Sequence, residues 1–138
     1  MAAFKLNIFT PQGIVVKNME CESLIIQTVR GQINVLPEHT HFLTELGTGI
    51  LTAKTSVGDR HFSTTAGTCK ILKNDVTILS FTSETPDKID VERANKAKEL
   101  AAKKLSGAES LSDQELIKYR RKLERAEMRI KLAYLRGA

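Results

Sequence analysis

Arg93, Arg125, Arg129 and Asp90 are the residues whose types and spacing point most directly to chemistry. They lie in two stretches of helical periodicity, Ile89 to Leu105 and a second run after Ser112, joined by Ser106-Gly107-Ala108-Glu109-Ser110. A connection this short makes the two helices antiparallel neighbours. With the turn centred near Glu109, Arg93 faces Arg125 and Asp90 lies near Arg129. Guanidinium groups brought together repel, and a polyanion relieves that repulsion. Their paired N–H donors would grip phosphate oxygens, while Asp90 either orders the helix start or accepts a hydrogen bond from a ribose or base. The alternative is a solvated basic face held by i,i+4 pairs such as Glu92 with Lys96 and Glu127 with Lys131.

The other candidate chemistries are weaker. His39, His41 and His61 have no cysteines or carboxylates in local register to complete a metal site, and read better as histidines of surface loops. Gly47-Thr48-Gly49 lacks the Lys-Ser/Thr and the helix start of a phosphate-cradling loop. Cys21 and Cys69 are too few for a disulfide scaffold and have no metal-ligand spacing, so both are expected to be small reduced residues. A nucleophile, a base and an orienting group do not occur in plausible register, which disfavours an enzyme.

The elements that must position the arginines follow a break at Pro86-Asp87. Up to Pro86 seven basic residues balance seven acidic ones; from Asp87 onward there are fourteen against nine, so the formal charge of +5 sits on the second part. Residues 1–86 are expected to form one domain and 87–138 a second. Alternation runs from Phe4 to Ser80, with Phe4, Leu6 and Ile8 on one face and Lys5 and Asn7 on the other. Further strands are expected at Ile14 to Val16, Ser23 to Val29, Gln32 to Val35, Gly49 to Thr55, Arg60 to Thr64, Thr68 to Leu72 and Val76 to Ser80. Eight or so short antiparallel strands imply an all-β flattened sandwich or barrel. About 85 residues suffice for such a unit to fold without staples. The strand ending at Val35 runs into Leu36-Pro37-Glu38-His39-Thr40-His41, expected to be an exposed contact loop.

In the second part, Asp87 or Asp90 is available as the first N-cap, and Ser112 with Glu115 forms a capping box. The first helix presents Val91, Ala94, Ala97, Ala101 and Leu105; the second presents Leu116, Tyr119, Leu123, Ala126, Ile130 and Ala133. The first seam is mostly alanine, which allows close approach but buries little area, and the second is a narrow two-in-seven seam suited to one partner helix. The start, Met1-Ala2-Ala3-Phe4-Lys5-Leu6, carries no basic stretch leading into an apolar one. No apolar run approaches the roughly 18 residues needed to span a bilayer. Membrane association is therefore expected through a partner.

Gly31-Gln32-Ile33-Asn34-Val35-Leu36-Pro37-Glu38-His39 resembles the Gly-x-Leu-Gly-Ile-Leu-Pro-Gly-His signature of the epsilon subunit of F-type, proton-translocating ATP synthases of the bacterial type. Ala66-Gly67 and Asp75-Val76-Thr77-Ile78-Leu79 match that family's later strands, and Asn34 and Glu38 depart from its glycines. The resemblance covers the whole chain. It implies a non-catalytic central-stalk subunit whose sandwich joins the gamma subunit to the ring of c subunits during proton-driven ATP synthesis. It also implies a C-terminal hairpin that moves from docked to extended and enters the alpha/beta catalytic head to block hydrolysis. Gln32 and His39 fall at the family's c-ring contact.

Ile89-Asp90-Val91-Glu92-Arg93-Ala94 is similar to the family's ATP-binding motif, with Glu84, Arg125 and Arg129 at further matching positions and Leu100 in place of an arginine. No cofactor is required on this reading, and ATP would be a regulatory ligand. Arg120, Arg121, Lys122 and Arg125 would meet acidic surfaces of the head. The implied location is the cytoplasmic face of the bacterial inner membrane, held through the complex, with a plastid thylakoid the second choice. The competing function is a basic helical hairpin binding nucleic acid. Interleaved acids, and a basic run accompanied only by Tyr119, count against it.

Overall fold

The computed structural model describes residues 3–37 and 41–135. Its described residues fall into two compact units, one up to Thr85 and one from Pro86 onward.

The first unit is all β. Its strands are β1 Phe4–Thr10, β2 Gly13–Cys21, β3 Ser23–Thr28, β4 Gly31–Val35, β5 Phe42–Leu46, β6 Gly49–Thr55, β7 Gly58–Thr64, β8 Gly67–Leu72 and β9 Asp75–Ser80. Eight of them run in the order β2-β1-β9-β8-β5-β3-β6-β7, and β4 pairs with β3 off that path. On one edge of β3, β4 pairs along its whole length, from Leu24 with Val35 to Thr28 with Gly31. The opposite edge is shared: β6 takes Ser23, Leu24 and Ile25, and β5 takes Thr28. One strand therefore spans two layers, and the sheet curls until β2 approaches β6. The result is the flattened sandwich that the alternation predicts.

The inward face is continuous. Leu6, Ile8, Leu24, Ile26, Leu51, Phe62, Cys69 and Ile78 are fully buried, with Phe4, Val35, Leu46, Ile71 and Val76 almost so. Fully burying one such aliphatic or aromatic side chain contributes about 1.5–3 kcal/mol, which makes this core the main source of stability of the unit.

Four features differ from the periodicity. Most of the pairs are antiparallel, but β1 and β9 run parallel, Leu6 opposite Val76 and Ile8 opposite Ile78. Alternation has the same period in both cases, so direction cannot be read from it. Strand β5 lies between the expected loop ending at His41 and the expected strand starting at Gly49, where no strand is predicted. Phe42 and Leu43 are exposed and only Leu46 is buried, so the strand carries no clean alternation and is defined by its pairing with β8. β2 is far longer than Ile14 to Val16. Asn18 interrupts it with a φ of 54°, and the Asn7 side-chain oxygen accepts its N–H at 2.9 Å where regular pairing is broken. The hairpin strand β7 begins at Gly58 rather than Arg60, because Gly58, with a φ of 121°, closes the turn directly onto Thr55.

The second unit opens with a 3-10 turn at Pro86–Lys88, followed by α1 Val91–Ser106, a second such turn at Ala108–Ser110, and α2 Asp113–Ala133. The two helices pack against each other, and the first turn lies against α2. Ser112 caps α2 in both directions: its hydroxyl accepts the Glu115 N–H at 3.2 Å, and Glu115 Oε1 accepts the Ser112 N–H at 3.3 Å. On α1, Ala94 and Ala101 are buried while Val91 and Leu105 are half-buried. Ala97, expected in that seam, is exposed. At 3.6 residues per turn it sits well round from the centre of the other four. On α2 the expected seam is buried or half-buried throughout, but Met128 and Leu132 are buried as well. They lie roughly 160–200° from the seam, so the last turns of α2 are covered on two faces rather than one.

Candidate functional site

The start of α1 shows why its first residues have the types they do. Asp90 is the N-cap, and its Oδ1 accepts the Arg93 N–H at 3.1 Å. Ile89 precedes the cap and Ala94 follows it by four; they are 4% and 3% exposed and occupy the two positions of a hydrophobic staple. Ile-Asp-x-x-Arg-Ala is therefore a complete helix-start signature. Arg93 is the one member that this role does not explain. It stands third in the helix, where a carboxylate would complement the positive end of the helix dipole and a guanidinium does not. A bound anion would reverse that penalty.

The arginines share a side of the hairpin. Rotation along a helix is about 100° per residue. Arg93 lies roughly 110° from the centre of α1's buried stripe, and Arg129 and Arg125 lie roughly 100° and 140° from that of α2, in the same rotational sense. In antiparallel helices, equal senses fall on the same side. The ends of the helices at Ser106 and Asp113 put the turn's midpoint beside Glu109, which sets Arg93 level with Arg125 and Asp90 level with Arg129. Arg93 and Arg125 are exposed and Arg129 is half-buried. The exposed Ala97 lies on this side too and leaves room above the helix.

Sequence reasoning passed over Lys118. Lys118, Lys122, Arg125 and Arg129 follow one another at intervals of four, three and four along α2, so they form one unbroken basic stripe. The signal was present in the spacing. The ammonium groups of Lys118 and Lys122 both sit 5.6 Å from the centre of the Tyr119 ring, a cation–π arrangement that holds them near one another. Arg120 and Arg121 are exposed on other sides of α2. Of the two expected i,i+4 pairs, Glu92–Lys96 forms at 3.5 Å, between side chains that are 82% and 75% exposed. It contributes under about 1 kcal/mol.

On the sandwich, Gln32 is exposed on β4 opposite Gln27. Asn34 pairs with Ile25 in ordinary strand geometry, so no glycine is required there. His39 and Glu38 lie outside the described residues. Glu84 is half-buried, and its backbone is fixed from both sides by Ser63, whose Oγ accepts its N–H at 2.8 Å and whose N–H donates to its carbonyl at 2.8 Å. Leu100 is 58% exposed. His61 Nδ1 is 3.0 Å from Thr52 Oγ1, and among the described residues no group of three or more His, Cys, Asp or Glu is placed to hold a metal ion. Burial pushes the Cys21 thiol up to about 11 and the Cys69 thiol up to about 12. Both are therefore protonated and unreactive at neutral pH.

Two parts of the chain match descriptions from one family: residues 3–86 match the ATP synthase delta/epsilon chain β-sandwich domain, and residues 87–133 its long α-helix domain. The chain belongs to the ATP synthase delta/epsilon family. Among similar proteins, the ATP synthase epsilon chains of Staphylococcus aureus strains JH9 and Newman are each 33% identical over 136 residues, covering 99% of this chain and 100% of the relative. The family's fold also appears in a chain of the Euglena gracilis mitochondrial ATP synthase, in a cryo-EM structure containing the c-ring. That chain is 22% identical, with a TM-score of 0.83, over 97% of this chain and 82% of that one. Among the described residues no helix is long and apolar enough to cross a membrane.

Proposed function

We propose that this chain is the non-catalytic epsilon subunit of a proton-driven F-type ATP synthase rotor, joining gamma to the c-ring and restraining ATP hydrolysis through its hairpin. The sandwich is the rigid coupling piece, with Gln32 and His39 toward the c-ring. The complex, rather than any segment of this chain, holds it at the cytoplasmic face of the bacterial inner membrane.

One observation carries the regulatory half of this reading: the largely exposed basic stripe lies on a hairpin whose α1 fully buries only two alanines, Ala94 and Ala101. A contact of that kind leaves docked and extended states within a few kcal/mol, and a ligand shifts the balance only by its preference for one of them. ATP held by Arg93, Arg125 and Arg129 prefers the closed hairpin, since the three are brought level only when α1 and α2 are paired. Asp90, committed through Oδ1 to its cap, keeps the helix start in place beneath them. Once the hairpin opens, Arg120, Arg121, Lys122 and Arg125 are available to acidic surfaces of the catalytic head. Leu100 offers no charge to a phosphate, so binding is expected to be weak.

The test has two parts. A chain ending at Asp87, reconstituted into the ATP synthase, is expected to bind gamma and to raise ATP hydrolysis; unchanged hydrolysis rules out the inhibitory role. Calorimetry of the full chain with ATP and magnesium is expected to show binding that Arg93→Ala abolishes. The absence of heat at millimolar ATP rules out the nucleotide site.

A further inference from the structure

The last residues before the hairpin are tied to the sandwich by an unusual set of hydroxyl groups. Past Ser80 the chain runs beside Ser63–Ala66 in the register of the preceding pair, Gly67 with Ser80: Phe81 donates to the Ala66 carbonyl at 3.0 Å, and Ser63 and Glu84 exchange hydrogen bonds. Between these points side chains replace the backbone ladder. Thr65 Oγ1 accepts the Thr82 N–H at 2.9 Å and lies 3.1 Å from Thr82 Oγ1, while Ser80 Oγ accepts the Thr65 N–H at 3.0 Å and donates to the Thr82 carbonyl at 2.6 Å. Ser63, Thr65 and Ser80 are 0%, 7% and 4% exposed. Away from water such bonds are costly to break, because each buried partner left unpaired keeps its desolvation penalty.

We propose that Ser63, Thr65, Ser80 and Thr82 form a clasp that pins the chain to the sandwich as far as Glu84 and confines the pivot of the hairpin to Thr85–Pro86. On the other side the fixed points begin at once, with the turn Pro86–Lys88 lying against α2, Ile89 buried and Asp90 capping α1. Thr85 stands between the two anchored stretches and makes no hydrogen bond among the described residues. It also precedes a proline, which restricts it to extended conformations, and Pro86 has a fixed φ. The joint is therefore short and stiff, and the hairpin swings from one place without drawing strand β9 off the sheet. This rests on the proposed mobility of the hairpin, but amide exchange tests the clasp without any ATPase assay, so the two can fail separately.

Amide hydrogen exchange followed by NMR on the full chain decides it. The Phe81, Thr82 and Glu84 amides are expected to be as protected as those of β9, and the Thr85 amide to exchange at least a hundredfold faster than that of Glu84. Equal rates at Glu84 and Thr85 overturn the proposal. Thr65→Val, which swaps the hydroxyl for a methyl, is expected to speed exchange at Thr82 and Glu84 at least tenfold; Thr65→Ser preserves it. Ser83→Ala is the control, since the buried Ser83 Oγ has no hydrogen-bond partner in the structure. Should Thr65→Val fail to fold, Ser63→Ala gives the same reading at Glu84. Wild-type rates at Glu84 in the variant that is read overturn the clasp.

Discussion

The two units of this chain are built on opposite terms. The sandwich hides a continuous set of large apolar side chains, many of them with no exposure at all; the hairpin hides four alanines and, of larger side chains, only Ile89, Met128 and Leu132 among the described residues. The cost of disturbing a unit scales with what it buries, so the first is stiff and the second is poised. On the proposed function, the rotor coupling would need the former property and the regulatory arm the latter.

The sharpest way to break that contrast is in the core. Phe62→Ala removes the largest fully buried side chain and is expected to cost about 3–5 kcal/mol, read from urea unfolding by a probe on the sandwich. A loss below 1 kcal/mol would mean that the core is not close-packed and that the contrast is false.

A smaller effect concerns alkaline pH. Burial raises the Cys69 thiol from 9.0 to about 12, so above pH 9 the unfolded chain has lost a proton that the folded chain retains. Stability is therefore flat below that pH and falls as pH rises, by about 1.4 kcal/mol per unit for this group. Urea midpoints at pH 8 and 10 are expected to differ more in the wild type than in Cys69→Ala; identical differences would show that the thiol is not buried on folding.

The smallest effect belongs to the hairpin. Asp90→Ala removes the cap of α1 and is expected to cost about 1 kcal/mol, seen as lost helicity on heating while the sandwich signal is unchanged. Asp90→Ser is expected to restore it. A cost as large as that in the core would make the hairpin as rigid as the sandwich.

Much of this organisation was legible. The alternation of Phe4, Leu6 and Ile8, the capping box at Ser112 and Glu115, and the break near Pro86 all depend on neighbours in the chain, where local physics is enough. The arginine face was legible in part, because a helical period and a short turn set both level and side. β5 was not, since Phe42 and Leu43 do not alternate in burial and only the approach of β8 defines that strand. Met128 and Leu132 were missed because their burial comes from a face of α2 that the pairing of the two helices does not use. Ser63, Thr65, Ser80 and Thr82 read as ordinary strand and turn polar residues until the fold placed their hydroxyls within bonding distance.

By itself the sequence determined the two kinds of unit, which residues start the helices, and that the excess positive charge lies on the second unit. These follow from periodicity, capping and charge, each of which acts over a few residues. Only the tertiary structure decided that β1 runs parallel to β9, that Gly67 must be glycine because a Cβ would overlap the Leu79 carbonyl, and that the chain is held to the sandwich as far as Glu84. Those depend on which distant segments meet, and contact between distant segments is a property of the folded chain as a whole.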